Sequence, residues 1–227
     1  MNRIKVVTGY VPVPNHPRTA AEYGALGEKL GEIPVLKHAF YERLERCWLH
    51  KFVEKQNKRL APLALTHSVG DNPAKNTMDY HIVQHQKFEW LGMAAAQDPS
   101  IDVFIWIDYG IFHVPGVTAA VILEFLAKVN DKDIAIPGCW DKHFMAPVSD
   151  AYPSWRFCGG VIVVPRLQIP ALLNAVHTEV RKHTRQTKNI TWEVNTLARV
   201  EQKDKVPIRW YQADHNATMF SGYGAMP

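Results

Sequence analysis

Phe104-Ile105-Trp106-Ile107-Asp108-Tyr109-Gly110 is the stretch that decides the reading of this chain. From Asp102 to Ile107 the residues are almost continuously apolar, as in a strand covered on both faces. The run then stops on a carboxylate and a turn. An acid in that place is costly to bury unless it is paired, hydrogen-bonded or metal-bound. Asp108 is therefore either a turn carboxylate or a functional group at the carboxyl end of a strand, where ligands of open α/β sheets sit.

Working outward, Ile4 to Thr8 is a short β-branched run that reads as a buried first strand, ending in Gly9 and Tyr10. The prolines at 12, 14 and 17 make the next segment a loop. Thr19 with Glu22 three residues on is a capping box, opening a helix to about Leu30. Leu36, Phe40, Leu44, Trp48 and Phe52 recur every four residues, predicting one long amphipathic helix from Pro34 to about Asn57. Leu63 to Val69 reads as a second strand. A helix opened by Thr77 or Asp79 runs to about Gln97 and feeds the strand ending at Asp108. Beyond it the pattern gives a helix over 115–129, strands over 133–137 and 157–164, helices over 169–183 and 192–201, and a last strand over 208–211. Alternating strands and helices predict a mostly parallel sheet with helices on both faces.

The 227 residues suit one domain, 1–227. With 47% hydrophobic and 21% charged residues the chain is of ordinary globular composition. Cys47, Cys139 and Cys158 are odd in number and form no CxxC pair. That argues against a zinc ribbon or a secreted disulfide frame and for a reducing, cytoplasmic setting. No apolar run is long enough for a signal peptide or a membrane helix. The formal charge of +4 favours an anionic ligand but makes no case for nucleic acid by itself. Arg181, Lys182, Arg185 and Lys188 read as a solvated helix face or, alternatively, a basic patch.

Helix positions Tyr80, Gln84, Lys87 and Leu91 share one face. Lys87 has no carboxylate three or four residues away, so it is either an ordinary exposed lysine or a cation aimed at phosphate. Tyr10 either stacks on a base or covers the sheet edge, and Gly9 permits close backbone approach. Glu193 is either a first-turn carboxylate favoured by the helix dipole or a functional acid. Trp140 with Asp141 could form a sugar platform or simply pack. His81 and His85, at i and i+4, have zinc-chelating spacing but lack a following glutamate and a third ligand. Cys158 fits buried packing better than a nucleophile. No GxSxG, P-loop or GxGxxG motif occurs.

The ordered segments together resemble a known group. Lys87-Phe88-Glu89-Trp90-Leu91 followed by the 104–110 stretch is similar to the donor segment of GT-A glycosyltransferases. The glycogenin-like group is one such likeness, and the Trp-Ile-Asp-x-Gly form resembles bacterial HtrL-like proteins more closely. Phe157-Cys158-Gly159-Gly160-Val161-Ile162-Val163 is similar to the strand that contacts the donor sugar in those enzymes. Trp192 to Leu197 falls where they carry an acid near the sugar, and Asp214-His215 resembles their late metal-binding histidine. The resemblance implies a single GT-A-like α/β domain and a hexosyltransferase-like enzyme. It would use a nucleotide-diphosphate sugar, UDP foremost, and a glycan, lipid-linked or small-molecule hydroxyl acceptor.

The implied roles follow residue by residue. Asp108 and His215 would hold Mn²⁺ or Mg²⁺. Lys87 would contact phosphate or sugar, Thr8 and Tyr10 the nucleoside, and Gly159 and Gly160 the donor. Asp108 and Glu193 would be catalytic, Glu193 orienting acceptor or sugar or serving as general base. Gly110 stands where the group carries the second metal-binding aspartate. That departure leaves Asp108 open to a weaker metal, a ribose or a water-bridged cation. Alternatives are nucleotidyl transfer on the same fold, for which the loop after the first strand is too poor in glycine and basic residues, and a glycosyltransferase or binding module acting on nucleic acid.

Overall fold

A computed structural model describes residues 3–14, 16, 18–58, 64–65, 75–129, 132–142, 148–203 and 205–224. Its centre is a six-stranded sheet in the order β2-β1-β4-β6-β5-β8. The strands are β1 (Ile4–Tyr10), β2 (Lys37–Tyr41), β4 (Val103–Ile107), β5 (Ile134–Gly138), β6 (Val161–Pro165) and β8 (Ile208–Gln212). All pair in parallel except β6, which runs antiparallel to both β4 and β5. A two-stranded ribbon joins β3 (Ala64–Leu65) to β7 (Asn189–Ile190).

Strand β4 shows why the apolar run is continuous. Phe104 and Trp106 enter one core, while Val103, Ile105 and Ile107 enter the other. The first core packs against α2 (Trp48–Asn57), α3 (Met78–Gln97), α5 (Ile169–Thr187) and α6 (Glu193–Gln202). The second packs against α1 (Ala20–Glu32), α4 (Ala119–Lys128) and the short α7 (Thr218–Ser221). Both faces are covered, so neither can alternate with polar residues.

The predicted capping box is present: Glu22 N donates to Thr19 Oγ1, and the Glu22 carboxylate accepts from Thr19 N. Thr77 caps α3 by accepting from Tyr80 N at 3.2 Å. The long helix expected over 34–57 is three short elements instead. Residues 37–41 form β2, the edge strand paired with β1, residues 44–46 a 3-10 turn, and the α-helix spans only 48–57. Leu36 and Tyr41, 60% and 66% exposed, belong to no common buried stripe. Residues 64–65 of the expected second strand lie in the ribbon, not in the main sheet; the rest of 63–69 lies outside the described residues.

The antiparallel β6 positions the site. Pairing Ile107 with Val161 brings the turn before β6 against the carboxyl end of β4. Asp108 N accordingly donates to Gly160 O at 3.0 Å. Among the described residues, no helix is long and apolar enough to cross a membrane.

Candidate active site

The carboxyl ends of β1 and β4, the start of α6 and the inner face of α3 enclose a cleft of about 410 Å³. Asp108, Lys87, Gly159, Gly160 and Glu193 meet there, with Tyr10 and His215 also lining it. Tyr80, Gln84 and Lys87 reach it from one face of α3 as the spacing predicts; Leu91 lies in the core beneath.

Lys87 is no exposed lysine: its side chain is 2% exposed. Its Nζ donates to Gly159 O at 2.8 Å, Glu193 Oε1 at 3.1 Å, Gln84 Oε1 at 3.3 Å and Asp108 Oδ1 at 3.5 Å. Burial pushes the ammonium's pKa down, but Asp108 and Glu193 outweigh that and the net shift is upward. The lysine is therefore a charged tie between two carboxylates. Glu193 is buried with it, whereas the Asp108 side chain is 35% exposed and faces the cleft. Trp106 fixes Asp108 further, its Nε1 donating to Oδ1 at 2.6 Å. Beneath them Phe40, Trp90 and Trp106 form a stack with centroids 5.9 and 5.7 Å apart.

The glycines serve this arrangement. A Cβ on Gly159 would overlap Glu193 Oε1 and approach Lys87 Nζ to 3.2 Å. Gly159 is thus required by the ion cluster itself. A Cβ on Gly160 would meet only ordinary contacts, Ile111 at 3.4 Å and Asp108 Oδ2 at 3.7 Å. Gly9 lines the cleft, but its own Cβ would overlap the Trp90 ring, so indole packing demands it. At Gly110 a Cβ would lie 2.7 Å from Tyr23 Cε1. A side chain at position 110 would therefore have to displace the Tyr23 ring.

Other expected residues are placed differently. Thr8 is buried within β1 and is not among the residues lining the cleft. It therefore cannot reach a nucleoside there without a change in the strand. Tyr10 stacks on Tyr109 at 5.3 Å and leans on Tyr23 at the same distance, forming an aromatic wall. Trp140 is not in the cleft and packs edge-on to Tyr152; Trp155 and Trp192 line the cleft instead. The loop carrying Pro153 and Trp155 is held by buried Asn195, whose Oδ1 accepts from Ser154 N at 2.6 Å and whose Nδ2 donates to Tyr152 O at 3.0 Å.

His81 and His85 form a polar core contact. His85 bonds to Thr196 Oγ1 at 2.9 Å and His81 O at 2.8 Å, and His81 bonds to Asn76 Oδ1 at 3.1 Å. Cys158 is fully buried, its thiol pushed up by the neighbouring Cys139 and by burial. Arg181, Lys182, Arg185 and Lys188 are exposed, as a solvated face requires. Residues outside the α-helices and strands, which periodicity could not flag, complete the cleft: Arg18, Lys75, His113 and His16.

Asp108 Oδ1 already accepts from Trp106 and faces Lys87. Among the described residues no group of three or more His, Cys, Asp or Glu could hold an ion. Asp108 and His215 are two ligand residues, so a divalent ion would draw its remaining ligands from substrate and water.

No protein-family model matches the chain, and no curated protein does. Among solved structures, it is similar to a glycosyltransferase involved in the glycosylation of the major capsid of PBCV-1. The two share 12% identity and a TM-score of 0.53, covering 93% of this chain and 81% of that one. A 4-diphosphocytidyl-2C-methyl-D-erythritol synthase from Anaerococcus prevotii aligns at 10% identity over 94% of this chain and 88% of that one. The TM-score of that alignment is 0.39. The chain has a GT-A-like fold, a mostly parallel α/β sheet with helices on both faces. Identities this low establish the fold and leave activity to the site.

Proposed function

We propose that the chain is a glycosyltransferase that moves a sugar from a nucleotide-diphosphate donor, UDP-linked foremost, to a hydroxyl on a glycan, lipid-linked or small-molecule acceptor. The observation that carries this reading is the Asp108–Lys87–Glu193 cluster in the cleft at the carboxyl ends of β1 and β4. The GT-A-like fold supports it.

The roles follow from charge and exposure. Asp108 is the carboxylate open to ligand, so it meets the donor's ribose or sugar, or a cation on its diphosphate. Glu193 and Lys87 neutralise each other, and Lys87 holds both Asp108 and the Gly159 carbonyl in fixed positions. Such preorganisation spares reorganisation during reaction. Tyr10 on its tyrosine wall is the platform for the base, and Trp155 and Trp192 offer apolar faces for sugar rings.

Thermal melting of the full chain with UDP- and GDP-sugars, with and without Mn²⁺, tests the reading. It requires at least one donor to raise the melting temperature. Indifference to every donor under both conditions would refute it.

A further inference from the structure

The charges of the cleft do not balance locally. Glu193 is matched by Lys87 at 3.1 Å. Asp108 is held between Lys87 and the Trp106 indole. Arg18 and Lys75 also line the cleft, and among the described residues neither forms a salt bridge. They lie near enough that the Arg18 charge depresses the partly buried Lys75, burial being the larger cause. Arg18 N donates to His16 Nδ1 at 3.1 Å, and Tyr23, whose hydroxyl meets His16 Nε2 at 3.4 Å, leans on Tyr10. Lys75 feels Asp108. The tyrosine wall, the two cations and the Asp108 carboxylate thus line one cleft.

Two like charges in a partly desolvated site repel each other, and a bound anion would offset that repulsion. At the place where a DxD-type aspartate would recruit a metal, Tyr23 excludes the side chain from Gly110. The protein's own cations line the same cleft as Asp108 and Gly110.

We propose that Arg18 and Lys75 bind the diphosphate of the nucleotide donor and stabilise it as the leaving group, with no divalent ion required. The inference rests on the glycosyl-transfer reading. In that reaction the bond from the anomeric carbon to the β-phosphate oxygen breaks and its electron pair leaves on the diphosphate. The acceptor oxygen forms the new bond to that carbon and gives up its proton to solvent or a cleft base. The negative charge that grows on the diphosphate is met by a guanidinium, which can bridge two phosphate oxygens, and an ammonium, which acts as a point charge. With the base on the tyrosine wall and the sugar at Asp108, base, diphosphate and sugar each find a chemically matching partner in the one cleft.

Calorimetric titration of the full chain in EDTA with UDP, GDP, uridine and inorganic pyrophosphate tests the proposal, alongside Arg18→Gln, Lys75→Gln and the double variant. The wild type should bind a nucleoside diphosphate in EDTA, and Mn²⁺ should change the affinity by less than about threefold. Each single substitution should weaken diphosphate binding at least about tenfold, about 1.4 kcal/mol, and leave uridine binding and melting temperature unchanged. Diphosphate binding that appears only with Mn²⁺, or that survives both substitutions, overturns the proposal. If such binding survives while sugar transfer proceeds, this inference fails and the glycosyltransferase reading stands. If the cations bind diphosphate as expected but no donor sugar is ever transferred, the reading fails instead.

Discussion

Replacing Lys87 with methionine keeps the aliphatic bulk and removes one charge from the centre of the cleft. The Lys87 and Glu193 side chains are 2% and 5% exposed and their charged atoms lie 3.1 Å apart. At an effective dielectric of about 20 that separation is worth about 5 kcal/mol of attraction, offset by the desolvation of both groups. Losing one partner leaves Glu193 buried and unmatched, so Lys87→Met should destabilise the fold by about 3–5 kcal/mol. Asp108 suffers less, because water reaches it. Glu193→Gln alone leaves Lys87 the Asp108 carboxylate and the Gly159 carbonyl, and should cost about 1–3 kcal/mol. Combining the two should cost less than Lys87→Met alone, since no unpaired buried charge remains. Urea denaturation of the four proteins at pH 7.5 gives the cycle, with a coupling of at least about 2 kcal/mol in the direction of mutual rescue. Additivity to within about 0.5 kcal/mol would mean the pair does not interact, and the account of the cluster would be wrong.

Acid should weaken the protein through its core histidines. Burial holds His81 at about 3 and His85 at about 4, both below the ordinary 6.5. The unfolded chain therefore takes up protons first, and stability is full above pH 7 and lost as pH falls from about 6.5 toward 4. Near pH 5 the slope should reach about 3 kcal/mol per pH unit, the value for two protons; denaturation curves that stay level from pH 7 to 5 would rule this out. Gly110→Asp, which restores the missing carboxylate on paper, should displace Tyr23 and lower the melting temperature without creating Mn²⁺ dependence; a stable variant newly dependent on Mn²⁺ would contradict the packing argument. Cys139 and Cys158, with sulfurs 3.7 Å apart, should cross-link on treatment with glutathione disulfide, releasing two equivalents of glutathione thiol; mass spectrometry finding both thiols intact would argue against their facing each other.

The parts of the fold with one strong physical cause were legible. Strand β4 is buried on both sides and reads as an apolar run; α1 and α3 announce themselves by their threonine caps. The stretch 37–41 was not legible, because Phe40 fits both a four-residue and a two-residue spacing. What decides it is the free edge of β1, which a local window does not contain. Thr8 failed for a related reason: the strand continues to Tyr10, so the residue expected at its mouth is still inside the sheet. The ion cluster was half legible. Lys87, Asp108 and Glu193 could be singled out, but their contact depends on β6 running backwards, and a run such as Val161 to Val164 carries no direction. Arg18, Lys75 and Trp155 left no signal at all, since loop residues have no period and reach the cleft only through tertiary structure.

The central claim is that this cleft transfers sugar from a nucleotide-diphosphate donor and that Asp108 takes part. The direct measurement is release of nucleoside diphosphate from a panel of nucleotide sugars by the wild type and by Asp108→Asn, with a hydroxyl acceptor mixture present. The account predicts release from at least one donor and a loss of about 100-fold or more in the variant, in the range of one missing preorganised group. Equal rates in the two proteins, or pyrophosphate released from a nucleoside triphosphate and a sugar phosphate in place of sugar transfer, would contradict it.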